Sequence, residues 1–360
     1  MTRYFYYLVV LNMMVNLFVF VPTIMIEERF HGAVMAIPIG IIVGSILLFM
    51  FVRSSNKFSE KGIPEILELT PKWFRVIFLV FLAIMWFLAG SISLLAFNNV
   101  TIRFLNPDIS GVNMILAFAV CTYLIISRLT TIQILYALEI IMIINFPLML
   151  LLVLQAYMND YISWASIVEV GGHFSEFPSY GVIAAATFIF SGYANMAIFN
   201  RVFKDKIPLR TLWLIPILGT ITLFTTLFIP IGFWGADGVG DLNFPWVSTA
   251  DTLRIEYGPI ERLISIFLLL YISVSLMSVT VHWHVSFEVI KSMLPVKKFN
   301  DKRKKIIERV ILLLFIIVTV LLEMNLREAG ILEIGKYWLD LRLPSETVLV
   351  VIMFLLARRK

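Results

Sequence analysis

Apolar residues run along this chain in long, nearly uncharged stretches, and windows of about 20 residues, the helical length that crosses a hydrocarbon core about 30 Å thick, separate ten of them. The predicted spans are 5–26, 33–52, 74–104, 112–126, 132–157, 181–199, 212–234, 260–287, 306–322 and 339–357. The last has a short apolar part and carries Glu346, so it is expected to be tilted, partly interfacial or shielded by its neighbours. The longest gaps, 158–180 and 235–259, are rich in Gly, Pro, Asp and aromatic residues and read as loops. No soluble domain is left over.

Charge alternates between the gaps. Arg53, Lys57, Lys61, Lys72 and Arg75 fill one, Arg201, Lys204, Lys206 and Arg210 another, and Lys291 through Arg309 a third. The intervening gaps are acidic, with Glu27 and Glu28, then Asp160, Glu169 and Glu176, then Asp237, Asp241 and Asp251. Basic loops stay in the cytosol, which puts both chain ends there as well.

A composition of 60% hydrophobic and 15% charged residues, with a mean hydropathy of +0.93, leaves too little polar surface to cover a soluble globule of 360 residues. The chain is read as an all-α, multi-pass membrane protein whose surface faces lipid. The pI of about 9.2 does not point to nucleic acid, because the positive charge sits in short loops on one side. Cys121 is the only cysteine and lies in an apolar run, where packing is its expected role; neither a disulfide framework nor a cysteine metal site is available. The first apolar run continues to Ile26 without a small-residue cleavage site, so it reads as a span rather than a cleaved signal.

Ten spans divide into two sets of five, 1–157 and 181–357, and because five is odd the second set enters from the opposite side. Proteins with such inverted repeats bind ligands near the midplane, where the first helix of each repeat is interrupted. In the sixth span Phe190-Ser191-Gly192-Tyr193 places a flexible residue between polar ones, with Asn195 four positions after Ser191. In the first, Asn12 and Asn16 share a helical face and Pro22 removes a backbone hydrogen bond one to two turns later. Gly192 taken alone is a packing residue, and membrane Asn side chains also serve simply to bond helices together. Asn98 and Asn99 of the third span, with Tyr271 and Ser275 of the eighth, are candidates to complete a polar cavity.

Glu139 is the carboxylate well inside the fifth span, and a charge at mid-helix costs about 2.5–3.5 kcal/mol on insertion scales, so it must face protein or water. A pair with Arg128 or a tyrosine is the structural expectation, a proton relay the functional one. His282 and His284 are two apart, point in nearly opposite directions on a helix, and are read as interfacial rather than as a metal site. No phosphate loop, nucleophile elbow or paired catalytic carboxylates appear, so neither an enzyme nor a cofactor is expected.

Asn243-Phe244-Pro245-Trp246, followed by Ile260-Glu261-Arg262, Ser265-Ile266-Phe267 and Tyr271, resembles the B subunit of spore-germination nutrient receptors. Val21-Pro22 and Phe190-Ser191-Gly192 fall where that family closes its first helix and breaks its sixth. The resemblance implies a fold like that of amino acid, polyamine and organocation transporters, used to sense a small nutrient, with an amino acid foremost, in the spore inner membrane. It also implies A and C subunits as partners beside membrane lipid. Two departures stand out: Val15-Asn16-Leu17 replaces the family's glycine-rich first break, and Ala194 stands where several relatives carry an acid. Asn16 is then expected to supply part of the donor role that free amides play for a ligand carboxylate. Glu261 and Arg262 read either as a helix-dipole cap and a snorkelling base or as a gate or partner dock. Three functions stay open: a germinant-receptor subunit with its ligand enclosed by helices one, three, six and eight, a proton-coupled amino-acid permease using Glu139, and a scaffold or conduit that binds no nutrient.

Overall fold

Backbone amides cannot be left unpaired in hydrocarbon, and the apolar stretches accordingly fold as helices. The computed structural model describes residues 1–105, 108–254, 261–294 and 300–359; Ile260 and residues 295–299 of the third basic stretch lie outside them. The first apolar stretch forms α1 (Arg3–Asn16) and α2 (Phe20–Glu27), bent by 51° across residues 17–19. Next come α3 (Ala33–Ser55), a single turn α4 (Ile63–Ile66), α5 (Lys72–Phe104), α6 (Gly111–Arg128) and α7 (Thr131–Tyr157). The gap after α7 is not a plain loop but holds the short helix α8 (Trp164–Gly171). The sixth stretch is broken: α9 (Tyr180–Phe188) is bent by 66° from the segment Ser191–Val202, a 3₁₀ turn running into α10 (Met196–Phe199). Then follow α11 (Leu214–Trp234), a second short helix α12 (Pro245–Thr252) inside another predicted loop, α13 (Leu263–Met293), α14 (Asp301–Asn325) and α15 (Glu328–Arg359). Among the described residues no strand forms beyond one bridge between Arg254 and Arg262.

Six of these helices are long and apolar enough to cross a membrane, or eight if each bent pair is one span. α14 and α15 fall short for a chemical reason. The uncharged run 310–322 of α14 is closed by Arg309 and Glu323, and α15 carries Arg342 and Glu346 in its middle. α15 nevertheless begins well before the expected residue 339, and at 32 residues it is about 48 Å long.

Both breaks follow from local chemistry. Asn16 Nδ2 donates back to the Asn12 carbonyl at 2.8 Å, a competing bond at the end of α1, and Val19 leaves the helical region at φ −122°, ψ −79°. Pro22, expected to break the helix, instead sits in the first turn of α2, where its missing N–H has no partner to lose. At the second break Phe190 is wedged between Gly44 of α3 and Gly219 of α11, where an added Cβ would lie 2.5 and 2.3 Å from its ring. Gly192 lies against α1 so closely that a Cβ would stand 2.6 Å from Leu8 O and Val9 Cα. The break in the sixth stretch therefore crosses α1 at Leu8 and Val9, about two turns before the break in the first stretch.

The basic residues gather at one end of the bundle. The amino terminus lies 3.8 Å from Asp205, and Lys57 Nζ donates to the Ala357 carbonyl at 2.9 Å, so both chain ends are there too. Cys121 is on the exposed face of α6, toward the bundle's surroundings rather than packed inside it.

Gly192→Ala should destabilise the protein by about 1–3 kcal/mol, because the obstacle is helix backbone that cannot swing aside. Gly172→Ala, with nothing within 4 Å, serves as the neutral control in the same detergent-solubilised unfolding measurement.

Candidate functional site

A helix that stops inside a bundle leaves carbonyl oxygens without partners, and here side chains from elsewhere supply them. Asn12 Nδ2 of α1 donates to Phe188 O at 2.6 Å, and Thr226 Oγ1 of α11 donates to Leu17 O at 2.7 Å. Arg342 of α15 donates through Nη2 to the Ala184 carbonyl and to Thr187 Oγ1 at 2.9 Å. Its Nη1 donates to Ser191 Oγ at 2.8 Å and to Glu346 Oε2, while Ser191 Oγ donates to the same carboxylate oxygen at 2.7 Å. Arg342 and Glu346 are 5% and 6% exposed, which makes this a fully desolvated ion pair. The guanidinium also stands 5.0 Å over the Phe188 ring.

Beside the pair lies a cavity of about 60 Å³ lined by α1, α5, the broken sixth stretch, α13 and α15. Its polar wall consists of Asn12, Ser191, Asn195, His282, Arg342 and Glu346. Trp86 and Trp338 flank it; Trp86 Nε1 donates to Asn195 Oδ1 at 3.0 Å, and Trp338 Nε1 to Met85 O at 3.1 Å. His282 is buried, not interfacial as expected, and its Nδ1 lies 2.7 Å from Ser278 O, which leaves Nε2 as the free ring nitrogen. A narrower space of about 20 Å³ reaches Asn16 and Ser278.

The structure thus brings Asn12, Ser191 and Asn195 together and puts Asn16 just beyond them, while Gly192 and Tyr193 do not line the cavity. Tyr193 turns to Phe51 of α3, with ring centroids 4.9 Å apart and its buried hydroxyl unpartnered. Asn98 is also elsewhere, donating to Glu323 Oε1 of α14 at 2.7 Å. Tyr271 belongs to an aromatic cluster at the acidic end: Phe18, in the first break, packs on Phe267, Trp246 and Tyr271 at 4.8, 5.7 and 6.0 Å. Ser275 is buried with an unpartnered hydroxyl and does not reach the cavity. Sequence reasoning missed Arg342. The available signal was an Arg and a Glu four apart, on one helical face of an otherwise apolar run.

Glu139 sits against the start of α1 rather than in the cavity. Its partner is Arg3, at 3.0 Å, not Arg128, and the expected tyrosine is Tyr4, whose hydroxyl donates to Oε2 at 2.9 Å. Arg3 and Asn12 are nine residues apart on α1, about 13 Å, which separates this pair from the cavity. His284 is buried as well, bonded to Thr131 Oγ1 at 3.0 Å and turned away from His282. Glu261 and Arg262 stand just ahead of α13; Arg262 is exposed and pairs with Asp251 at 3.1 Å.

Away from the cavity, each end of the bundle has its own network. The aromatic cluster packs the acidic end. At the basic end Arg201 bridges Glu65 at 2.7 Å and Glu288 at 3.0 Å, and Lys291 joins Glu288 to Glu308 at 2.7 and 3.3 Å. Asn200 extends this lattice, donating to the carbonyls of Phe58 and Lys61 at 2.8 and 2.7 Å.

Residues 2–329 match the model of a family described as spore germination protein. Among solved structures the chain is similar to one described as the substrate-bound outward-open state of a Na⁺-coupled sialic acid symporter, with a TM-score of 0.54, 12% identity, and coverage of 88% of this chain and 72% of that one. At that identity the likeness is one of fold. No curated protein matches the chain by sequence.

Arg342→Gln alone should cost about 3–5 kcal/mol, since it strands a buried carboxylate, whereas Arg342→Gln with Glu346→Gln should cost clearly less. Unfolding of the single and double variants side by side checks this.

Proposed function

This chain belongs to the spore germination protein family, and on that premise we propose that it is a nutrient-receptor subunit of the spore inner membrane, a transporter-like bundle that binds a small nutrient in its central cavity. The observation that carries the reading is the convergence of both broken helices on one buried polar cavity, with Asn12 from one and Ser191 and Asn195 from the other. Such breaks present backbone and side-chain groups to a ligand where intact helices present none. In this reading α14 and α15 are the ninth and tenth spans of two inverted five-helix repeats, and the basic end faces the cytosol. A ligand prises the broken helices apart, and the change passes to the A and C subunits. No catalytic step is involved.

A proton-coupled amino-acid permease is the second reading, favoured by the symporter fold and by Glu346 and His282 beside the cavity. Reconstitution into vesicles separates the two. The receptor reading expects saturable binding of labelled nutrients, tested as amino acids, sugars and nucleosides, without accumulation under an imposed proton gradient; gradient-driven uptake would replace it with the permease. Asn195→Ala should weaken binding about two- to tenfold, the range of one lost hydrogen bond, and Glu139→Gln should leave binding unchanged. Uptake abolished by Glu139→Gln would restore that residue's proton role.

A further inference from the structure

Taking the central cavity as the ligand site, we infer that Arg342 and Glu346 form its charge-recognition pair, opened by a small zwitterion whose carboxylate goes to Arg342 and whose ammonium goes to Glu346. The pair is more than is needed to tie α15 to the broken helix. Arg342 alone reaches Ala184 O, Thr187 Oγ1 and Ser191 Oγ. Glu346, one turn along the same helix, adds a second buried charge whose donors are Arg342 and Ser191.

What the pair leaves unused is informative. Arg342 Nε is buried without a hydrogen-bond partner, and the bonds from Arg342 and Ser191 to Glu346 both go to its Oε2. Both residues line the cavity, so its wall carries a cationic donor group and an anionic acceptor group on adjacent turns of a helix. An α-amino acid carries the matching acceptor and donor two bonds apart on one carbon. Buried charges tolerate exchange of partners but not loss of them, and a zwitterion replaces the internal pair with two external ones without changing the net charge.

Size points the same way. A volume of about 60 Å³ has room for roughly four waters, so any larger ligand must move a wall. Separating Arg342 from Glu346 moves a wall that joins α15 to the break after α9. Sugars and nucleosides, which lack fixed charges, have no means of separating the pair.

The test uses full-length protein in lipid nanodiscs, titrated with each of the twenty L-amino acids, with the C-terminal amide and N-acetyl derivative of every binder, and with glucose and inosine. At least one amino acid should bind saturably, and its amide and N-acetyl forms should bind about tenfold more weakly or worse. Arg342→Gln combined with Glu346→Gln keeps the shape and removes both charges; it should lose that discrimination as well as the affinity. Arg342→Lys, which keeps the charge without the fork, provides a folded single variant of intermediate affinity. Equal binding of acid and amide, or discrimination surviving in the double variant, overturns the inference. Ala89→Trp, which fills the cavity, tells the two levels apart. If it blocks binding while acid and amide bind alike, the cavity is the site and only the recognition pair is wrong; if binding is untouched by it, or no probe binds, both are wrong.

Discussion

Two helices end in the middle of this bundle, away from bulk water, and each unpaired backbone group in such surroundings costs several kcal/mol. Much of the interior is arranged around that debt. Asn12 of α1 crosses to the second break, Thr226 reaches Leu17, and Arg342 reaches into the last turns of α9. A guanidinium is the donor set best suited to the task, since one side chain serves several acceptors in a plane. Its charge then requires a counter-charge, and Glu346 is one turn away. The demand that begins with a broken backbone thus ends as an ion pair in the middle of α15.

The same breaks are tied to the networks at both ends of the bundle. Phe18 belongs to the first break and is the centre of the aromatic cluster with Trp246, Phe267 and Tyr271. Asn200 and Arg201 end the broken sixth stretch and anchor the ionic lattice at the opposite end. A change in bend at either break therefore strains one of these networks directly, and Gly192 is packed tightly against Leu8 and Val9 of α1. Packed elements of this kind switch between discrete arrangements rather than deform smoothly.

Hydropathy alone located nearly every long helix, because the transfer of about 20 residues into hydrocarbon outweighs local preference. Polar residues in the apolar runs pointed to both breaks, Asn12 and Asn16 in the first and Ser191-Gly192 in the sixth, although Pro22 proved to lie inside a helix. The site was legible where polar residues sit in a break or within about two turns of one, as Ser191, Asn195 and Asn12 do, for these have nowhere to turn but inward. It was not legible for Asn98, Tyr271 and Ser275. Helical periodicity shows that such residues share a face with neighbours, but not which helix lies opposite: Asn98 meets Glu323 of α14, and Tyr271 meets the aromatic cluster around Phe18. Glu139 misled for a related reason: its depth in the apolar run is offset by Arg3, 136 residues away in the chain.

The order of the long helices, the polar interruptions near Asn16 and Ser191, and the gathering of positive charge in alternate gaps were determined by the sequence itself, because each depends on residues close together along the chain. That α15 delivers Arg342 and Glu346 to the break after α9 was decided only by the tertiary structure. A buried charge is tolerated only where partners from distant segments meet it, and the sequence shows the charge without showing the partners.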